Sequence, residues 1–114
     1  MIKKTFTASL PTSEYTLYTV PNSKKTEWVL LYATNTSGST SSFDASYYNK
    51  QADTTVPLFV DKSVSSKDFF QVGGNVNEFI MMKSGDKILV SGSNADAIKL
   101  LVSVIEYNDI IQGG

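Results

Sequence analysis

Three residue types are missing from this chain: cysteine, histidine and arginine. Without cysteine there can be no disulfide, no thiolate nucleophile and no cysteine-ligated zinc. Without histidine the chain lacks the side chain that most often acts as a general base or binds a transition metal. Because all 10 basic residues are lysine, the bidentate forks with which arginine binds phosphates, carboxylates and base edges are excluded as well.

The chain also lacks strong net charge and long apolar runs. Its net charge at pH 7 is −1, which provides no field to attract nucleic acid or anionic lipid. No apolar run approaches the ~18 residues that a membrane span needs. Thr5, Thr7 and Ser9 interrupt the N-terminal segment at every second residue, unlike a signal peptide. We therefore expect a soluble protein, synthesised in a cytoplasm, with neither membrane nor nucleic acid as a direct partner.

What remains is the composition of a folded domain. Hydrophobic residues make up 41% and aromatic residues 11% of the chain, which is too apolar for a disordered segment. A chain of this length fits one domain with a core of its own. We predict a single domain over residues 1–114, in which residues 1–10 form an N-terminal arm or an added strand and residues 108–114 form a short C-terminal tail.

Apolar and polar residues alternate with a period of two along most of the chain, which is typical of β-strands. Turn-forming clusters such as Ser84-Gly-Asp86 separate the alternating segments. The segments that fit a strand are residues 4–10, 15–20, 26–34, 43–48, 56–62, 67–72, 78–83, 87–91 and 97–107. This pattern predicts an all-β fold, an antiparallel β-sandwich of eight or nine strands that is jelly-roll-like or immunoglobulin-like.

Two segments need further argument. Residues 94–105 also match helical spacing, but the β-branched residues in Val102-Ser-Val-Ile105 favour a strand. Pro57 lies inside a predicted strand, and proline cannot donate a hydrogen bond to a sheet ladder. We therefore expect Pro57 on an edge strand or at a bulge.

Two predicted strands are apolar on both of their faces, whereas a sandwich strand exposed on one side should be polar there. With strict alternation, one face of residues 28–33 carries Trp28, Leu30 and Tyr32, and the other carries Val29, Leu31 and Ala33. In the last strand, Leu100, Val102 and Val104 oppose Leu101 and Ile105. Either connecting loops cover the outer faces of these strands, or an outer face meets another protein.

The sequence predicts no catalytic residue, no metal ligand set and no cofactor. Its acidic residues are scattered over strand ends and turns, where they bond to nearby backbone, and no calcium-loop pattern occurs. Asn35-Thr-Ser37 matches the acceptor pattern for N-glycosylation, but a turn explains it better. We expect a protein that is not an enzyme.

The candidate functional residues are therefore apolar or aromatic side chains that could meet a partner. Met1, Ile2 and Phe6 near one chain end, and Ile110 and Ile111 near the other, are apolar residues in otherwise polar segments. Trp28 belongs to the strand that is apolar on both faces. Tyr47 and Tyr48 are adjacent, so they point to opposite faces of a strand and at most one is outside. An outward tyrosine with loop Asn and Asp residues is the basis of the alternative hypothesis, a carbohydrate- or receptor-binding module.

Three motifs carry a resemblance to a known class of proteins. The chain contains Tyr18-Thr-Val-Pro21, then Glu27-Trp-Val-Leu-Leu-Tyr-Ala-Thr-Asn-Thr-Ser-Gly38 and the hairpin Met82-Lys-Ser-Gly-Asp-Lys-Ile-Leu-Val90. In this order, over residues 15–107, it resembles the small β-sandwich structural proteins of tailed bacteriophage virions. The resemblance rests on strand and turn pattern and brings no catalytic motif.

The resemblance implies a non-enzymatic virion protein. It implies a capsid decoration or cement protein that stabilises the particle by subunit contacts, with a tail, neck or fibre accessory protein as the alternative. Its partners would be the major capsid protein or another virion protein and copies of itself, most often three. Its location would be the virion.

Overall fold

A computed structural model describes residues 1–74 and 80–109. These residues form nine β-strands, and every strand pair is antiparallel. The strands are β1 Ile2–Ser9, β2 Tyr15–Thr19, β3 Lys24–Asn35, β4 Ser41–Asn49, β5 Thr54–Val64, β6 Phe69–Gly73, β7 Ile80–Lys83, β8 Lys87–Gly92 and β9 Ile98–Asn108. The all-β prediction is confirmed, and the segment with mixed signals, residues 94–105, contributes to strand β9 rather than to a helix. None of the described residues belongs to a helix that could cross a membrane.

The strands form two sheets whose order identifies the sandwich. The five-stranded sheet has the order β1-β9-β3-β6, with β7 also paired to β3, and the four-stranded sheet has the order β2-β8-β4-β5. Successive strands thus cross repeatedly between the sheets, which is the double Greek key of a jelly roll. Of the two sandwich types expected from the sequence, the jelly roll is the observed one.

Strand β1 pairs with β9 along its whole length, from Ile2 opposite Glu106 to Ser9 opposite Lys99. The segment expected as an arm or an added strand is therefore an edge strand of the five-stranded sheet. Strand β5 forms an edge of the other sheet, and its Pro57 lies opposite Ser46, next to a shift in the pairing register. Pro57 thus occupies the edge and bulge position that its missing N–H requires.

The core lies between the two sheets and is almost entirely apolar. It is formed by the inward side chains of seven strands and of two connecting segments: Leu10, Tyr18, Val20, Trp28, Leu31, Ala33, Phe43, Ala45, Val64, Met82, Ile88, Val90, Ile98, Leu100, Val102 and Val104. Burying one such large side chain is worth roughly 1.5–3 kcal/mol. The core holds the sheets in register and thereby fixes which side chains each sheet presents on its outer side.

Candidate interaction surface

Six apolar side chains lie on the outer side of the five-stranded sheet, and we call this surface the apolar face. They are Leu30, Tyr32, Phe69, Met81, Leu101 and Ile105. Their strand neighbours Leu31, Val102 and Val104 are buried, so alternation directs the six away from the core. Each of the six keeps exposed surface, and Phe69 is 55% exposed. The described loops therefore do not enclose this face.

A β-bulge at Val29 decides which side of strand β3 contributes to the apolar face. The pairing of β3 with β9 shifts between Trp28, opposite Val104, and Leu30, opposite Ser103. The extra residue inverts the alternation beyond it. Trp28 therefore shares the inner side with Leu31 and Ala33. The prediction that Trp28 lies on one side with Leu30 and Tyr32 is wrong for this reason.

Glycines of strand β6 and its end hold this bulge in place. The N–H of Gly74 donates to the Val29 carbonyl oxygen at 2.7 Å. Gly73 has φ +86°, and a Cβ built on it would lie 2.3 Å from the same oxygen. Only glycine fits such a conformation and such a close approach. The Gly73-Gly74 pair thus fixes the outward placement of Leu30 and Tyr32.

Aromatic contact gives the apolar face an ordered centre. The rings of Tyr32 and Phe69 stack with centroids 5.2 Å apart and planes 8° from parallel. Leu101 lies opposite Tyr32 in the neighbouring strand. Large, rigid rings beside aliphatic side chains are the usual anchors of protein interfaces. This arrangement suits a surface that loses water on contact with another protein.

Charged side chains surround the apolar centre. The strand residues with charge on this face are Lys3, Lys25, Glu27, Lys83 and Lys99. Two hydrogen bonds between side chains identify the same outer side: Thr5 with Ser103 at 3.2 Å, and Lys99 to Ser9 at 2.9 Å. The nearby Glu27 carboxylate raises the pKa of Tyr107.

The outer side of the four-stranded sheet, which we call the polar face, has a different composition. On β2, β4 and β8 its side chains are mainly hydroxyl-bearing or charged: Thr16, Thr19, Ser42, Asp44, Ser46, Tyr48, Lys87 and Ser91, with Leu89 as the aliphatic exception. The edge strand β5 also exposes Val60. Leu89 is buried. A face of this kind is well hydrated and has little apolar surface to offer a partner.

Of the predicted contact residues near the N-terminus, two are exposed and one is not. Met1 is 85% and Ile2 49% exposed. Phe6 packs against the core and its ring contacts the ring of Tyr18, with centroids 4.9 Å apart. Since Ile2 lies opposite Glu106, Met1 lies at the same end of the sheet as the end of β9. Ile110 and Ile111 lie outside the described residues.

Trp28 is a core residue with only 6% of its surface exposed. Its Nε1–H donates to the Leu30 carbonyl oxygen at 3.2 Å, so its polar atom is satisfied within the sheet. Its remaining accessible edge borders an apolar cleft of about 390 Å³ that Leu58 and Ile80 also line. The structure therefore gives Trp28 a role in packing and leaves it little surface for a partner.

Tyr47 and Tyr48 point to opposite sides of strand β4, as alternation predicts. Tyr47 packs against the core and its hydroxyl donates to Asp86 at 2.7 Å. Burial, followed by this hydrogen bond, raises the pKa of Tyr47 to about 12. Tyr48 lies on the polar face and donates to Asp53 at 2.7 Å, which raises its pKa. Lys87 Nζ lies 5.6 Å from the centre of its ring.

A buried carboxylate lies on the inner side of the five-stranded sheet. Glu106 is 2% exposed, accepts a hydrogen bond from the Tyr18 hydroxyl at 2.5 Å and pairs with Lys4 at 3.0 Å. Burial alone would raise its pKa, but the hydrogen bonds from Tyr18 and Lys4 and the charges of Lys4 and Lys24 outweigh burial and lower it. The group stays ionised and satisfied, so its role is structural.

The other sequence candidates for chemistry are also turn or packing residues. Asn35 is fully buried, and its side-chain nitrogen donates to the carbonyls of Ser39 and Val64, both at 2.8 Å. This atom is the one that would carry a glycan, so the match to the acceptor pattern reflects a turn. In residues 1–74 and 80–109, no group of three or more acidic side chains is placed to hold a metal ion.

Sequence reasoning found the excess of apolar residues but missed the charges that surround it. The lysines of the apolar face come from four strands that are distant in sequence, and only the strand order brings them together. Strand β1 already indicated one of these charges, because the alternation that puts Phe6 inside also puts Lys3 outside.

Comparison with known proteins identifies the fold of this chain but no family. No protein-family model matches the chain, and no curated protein is significantly similar to it. A chain in the acidic stable capsid structure of Helicobacter pylori bacteriophage KHP30 is 14% identical, with a TM-score of 0.54, and the match covers 95% of this chain and 94% of that one. A chain of the infectious bursal disease virus Gx strain is 10% identical, with a TM-score of 0.50, over 98% of this chain and 35% of that one. At these identities the likeness establishes a jelly roll of the kind found in those virus structures.

Proposed function

We propose that this protein is a non-enzymatic structural component of a bacteriophage virion, a decoration or cement protein on the capsid. The observation that carries the proposal is an apolar sheet face, left exposed by the described residues, on a jelly roll that aligns nearly end to end with a chain of a phage capsid structure. The near-equal coverage of both chains means that the fold is matched as a whole.

The mechanism is adhesion through buried surface. A single sheet face of this size forms a modest interface, and its affinity depends on a few well-packed anchors. On a symmetric particle the same contact repeats many times, and copies that also touch each other bind with increased effective affinity. Such a protein would join neighbouring capsid subunits and oppose their separation. Three copies around a local symmetry axis is the arrangement that we favour.

The partners would be the major capsid protein, or another virion protein, together with copies of this chain. We propose that Met1 and Ile2, which are exposed at the end of the edge strand β1, add apolar contact to such an interface. We include Ile110 and Ile111 with them as contact residues. The protein would be synthesised in the host cytoplasm and would reside in the virion.

Quantitative mass spectrometry of purified virions, from the phage that encodes this chain, tests the proposal. We expect the protein in a copy number comparable with that of the major capsid protein, and immunogold labelling over the capsid. A few copies per particle, with label on the tail or neck, would replace the cement role by an accessory role in that structure. Absence from washed virions would contradict a virion role altogether.

The alternative of a carbohydrate- or receptor-binding module has its own test. Tyr48 is the outward tyrosine on the polar face, but its hydroxyl is held by Asp53. We expect the free protein to bind no glycan on an array. Glycan binding that is abolished by Tyr48→Ala would favour the alternative module over the cement protein.

A further inference from the structure

We propose that the apolar face binds an acidic surface of a different protein, one with apolar side chains at its centre and carboxylates at its periphery, and not the same face of a second copy. This inference rests on the proposed function and specifies the partner for that role. It follows from the charges on the apolar face, which are strongly one-sided although the chain as a whole is nearly neutral.

Within residues 1–74 and 80–109, the charged strand residues of the apolar face are four lysines and one glutamate, a net charge of +3. Lys3, Lys25 and Lys83 lie towards one end of the sheet and Lys99 towards the other, and all four are exposed. The single acid among these charged residues, Glu27, lies near the Tyr107 hydroxyl and raises its pKa. The cations therefore have few acidic neighbours on their own face.

The acids of the adjoining loops do not balance these lysines across the face. Asp68 and Asp96 lie in loops beyond the strand ends near Lys99. One carboxylate oxygen of Asp68 accepts a hydrogen bond from the backbone N–H of Phe69 at 2.8 Å. Asp96 lies in a turn, and its own backbone N–H donates to the Leu10 carbonyl oxygen. Towards the other end, Asp109 follows β9. Among the side chains that the structure describes, those that a flat partner would meet are predominantly basic.

A symmetric contact between two apolar faces would bring like charges together. In a two-fold interface the same patch meets itself, so four lysines from each copy would share one contact. Like charges placed against each other across an interface disfavour it by several kcal/mol. Apolar surface alone would favour such a dimer, and the lysines act against it.

The polar face of a second copy does not supply the complement either. The strands of this sheet carry two acids, Asp44 and Asp61, and two lysines, Lys62 and Lys87, so their charges cancel. Asp44 also accepts the N–H of Asp61 at 2.7 Å. This face offers neither an apolar centre nor net negative charge. A separate protein with both properties is the occupant that fits.

Nucleic acid is the other polyanion that four lysines could attract. Single-stranded nucleic acid is bound by basic grooves in which aromatic rings stack on bases. Among the described residues of this face, the stacked rings are Tyr32 and Phe69, which are packed on each other, and Leu30, Leu101 and Ile105 form the rest of the centre. Aliphatic side chains favour a protein surface. Binding of oligo(dT), a single-stranded nucleic acid, is therefore the competing outcome in the binding experiment with matched variants.

Zero-length carbodiimide cross-linking of purified virions, read by mass spectrometry, tests the inference because it joins lysines to carboxylates in direct contact. We expect Lys3, Lys25, Lys83 or Lys99 to be linked to Asp or Glu of a different virion protein, and Lys87 on the polar face to be free of such links. Links from the four lysines to another copy of this chain, or none from them while Lys87 is linked, would overturn it.

A binding experiment with matched variants gives a second readout. The Lys3→Glu, Lys25→Glu double variant should bind virions stripped of this protein about tenfold more weakly, whereas Lys87→Glu should bind as the wild type does. Tight binding of oligo(dT) by the wild type that the double variant loses would overturn the inference in favour of nucleic acid. If the protein is absent from virions, both the proposed function and this inference fail. If virions contain the protein but the four lysines are linked to another copy of this chain, or only Lys87 is linked, the inference alone fails.

Discussion

The two outer faces of this sandwich occupy equivalent positions in the fold but differ in character. In β4, on the four-stranded sheet, Phe43 and Ala45 point inward while Ser42, Asp44 and Ser46 point to water. In β9, on the five-stranded sheet, both sides are apolar: Val102 and Val104 point inward, and Leu101 and Ile105 outward. Folding requires one apolar side per strand, so the second apolar side of β9 is surplus to folding.

This difference separates what the sequence needs to fold from what it carries in addition. An exposed aliphatic residue taken alone is unremarkable on a protein surface. Six apolar residues in one patch, with the lysines on the same side of the sheet, form a surface that has an apolar centre and a positive charge. The inner side of this sheet instead holds an acid, Glu106, which is buried among apolar side chains. Four experiments, taken in order of expected effect, test how sharply the faces differ.

Removing the glycine that fixes the bulge should have the largest effect. Gly73→Ala places a Cβ against the Val29 carbonyl oxygen at a positive φ, so we expect a loss of about 3 kcal/mol in the free energy of unfolding. Chemical denaturation measures this value. Gly38→Ala is the control, because a Cβ there meets nothing within 4 Å. Equal effects of the two substitutions would show that the bulge does not determine the apolar face.

Neighbouring residues of β9 allow the inner and outer sides of one strand to be compared directly. Val104 is fully buried whereas Ile105 keeps exposed surface. Val104→Thr puts a hydroxyl into the core and should lower the free energy of unfolding by about 2 kcal/mol. Ile105→Thr should cost less than about 1 kcal/mol and should reduce binding of an apolar dye. Comparable losses from both would mean that the apolar face is enclosed.

Substituting the buried carboxylate should give a smaller and pH-dependent effect. Glu106→Gln removes the charge that Tyr18 and Lys4 contact, so we expect a loss of about 1–2 kcal/mol at pH 7. The folded-state pKa of Glu106 lies below its ordinary 4.5. Its contribution is therefore present above pH 4.5 and is lost as the pH falls through the lower value. The difference between variant and wild type should shrink accordingly when denaturation is repeated at low pH.

Glu14→Gln is the matched control for this pH experiment. Glu14 is an exposed loop residue in a part of the chain away from both sheets' centres, so its substitution should leave stability unchanged at either pH. A difference for Glu106→Gln that persists undiminished at low pH would contradict the ionised state that we assign to the carboxylate.

The smallest effect is expected for the tyrosine and carboxylate pair on each outer face. Tyr48 donates to Asp53 on the polar face, and the Tyr107 hydroxyl lies near the Glu27 carboxylate on the apolar face; each carboxylate raises the pKa of its tyrosine. Asp53→Asn and Glu27→Gln should each return the pKa of the paired tyrosine towards its usual 10.0. NMR or absorbance titration measures both. If neither pKa moves, these contacts between tyrosine and carboxylate are absent in solution.

The strands and their polarity could be predicted from sequence because both depend on local alternation. The inward and outward sides of β4 and β9 follow from period two, and Pro57 indicated its edge position through its missing N–H. These signals act within one strand, so no knowledge of the partner strands was needed.

The face of β3 could not be predicted because it depends on a contact with a distant strand. The inversion at Val29 requires Gly73 and Gly74, more than forty positions later in the sequence. Strand β5 shows the same limit, since register shifts next to it leave Val56 and Val60 exposed while Leu58 and Phe59 pack on the core. Strand order, which gathers the four lysines, is likewise a property of the whole fold.

The antiparallel pairing of β1 with β9 also has a mechanical consequence. Ile2 lies opposite Glu106, so residues 1 and 109 leave the same end of the sheet. A force that pulls these two points apart would open the β1–β9 ladder one hydrogen-bonded pair at a time, like a zipper, instead of shearing all pairs together. Such a ladder opens under low force. In the proposed capsid role, the load would therefore best pass through the sheet faces and bypass residues 1 and 109.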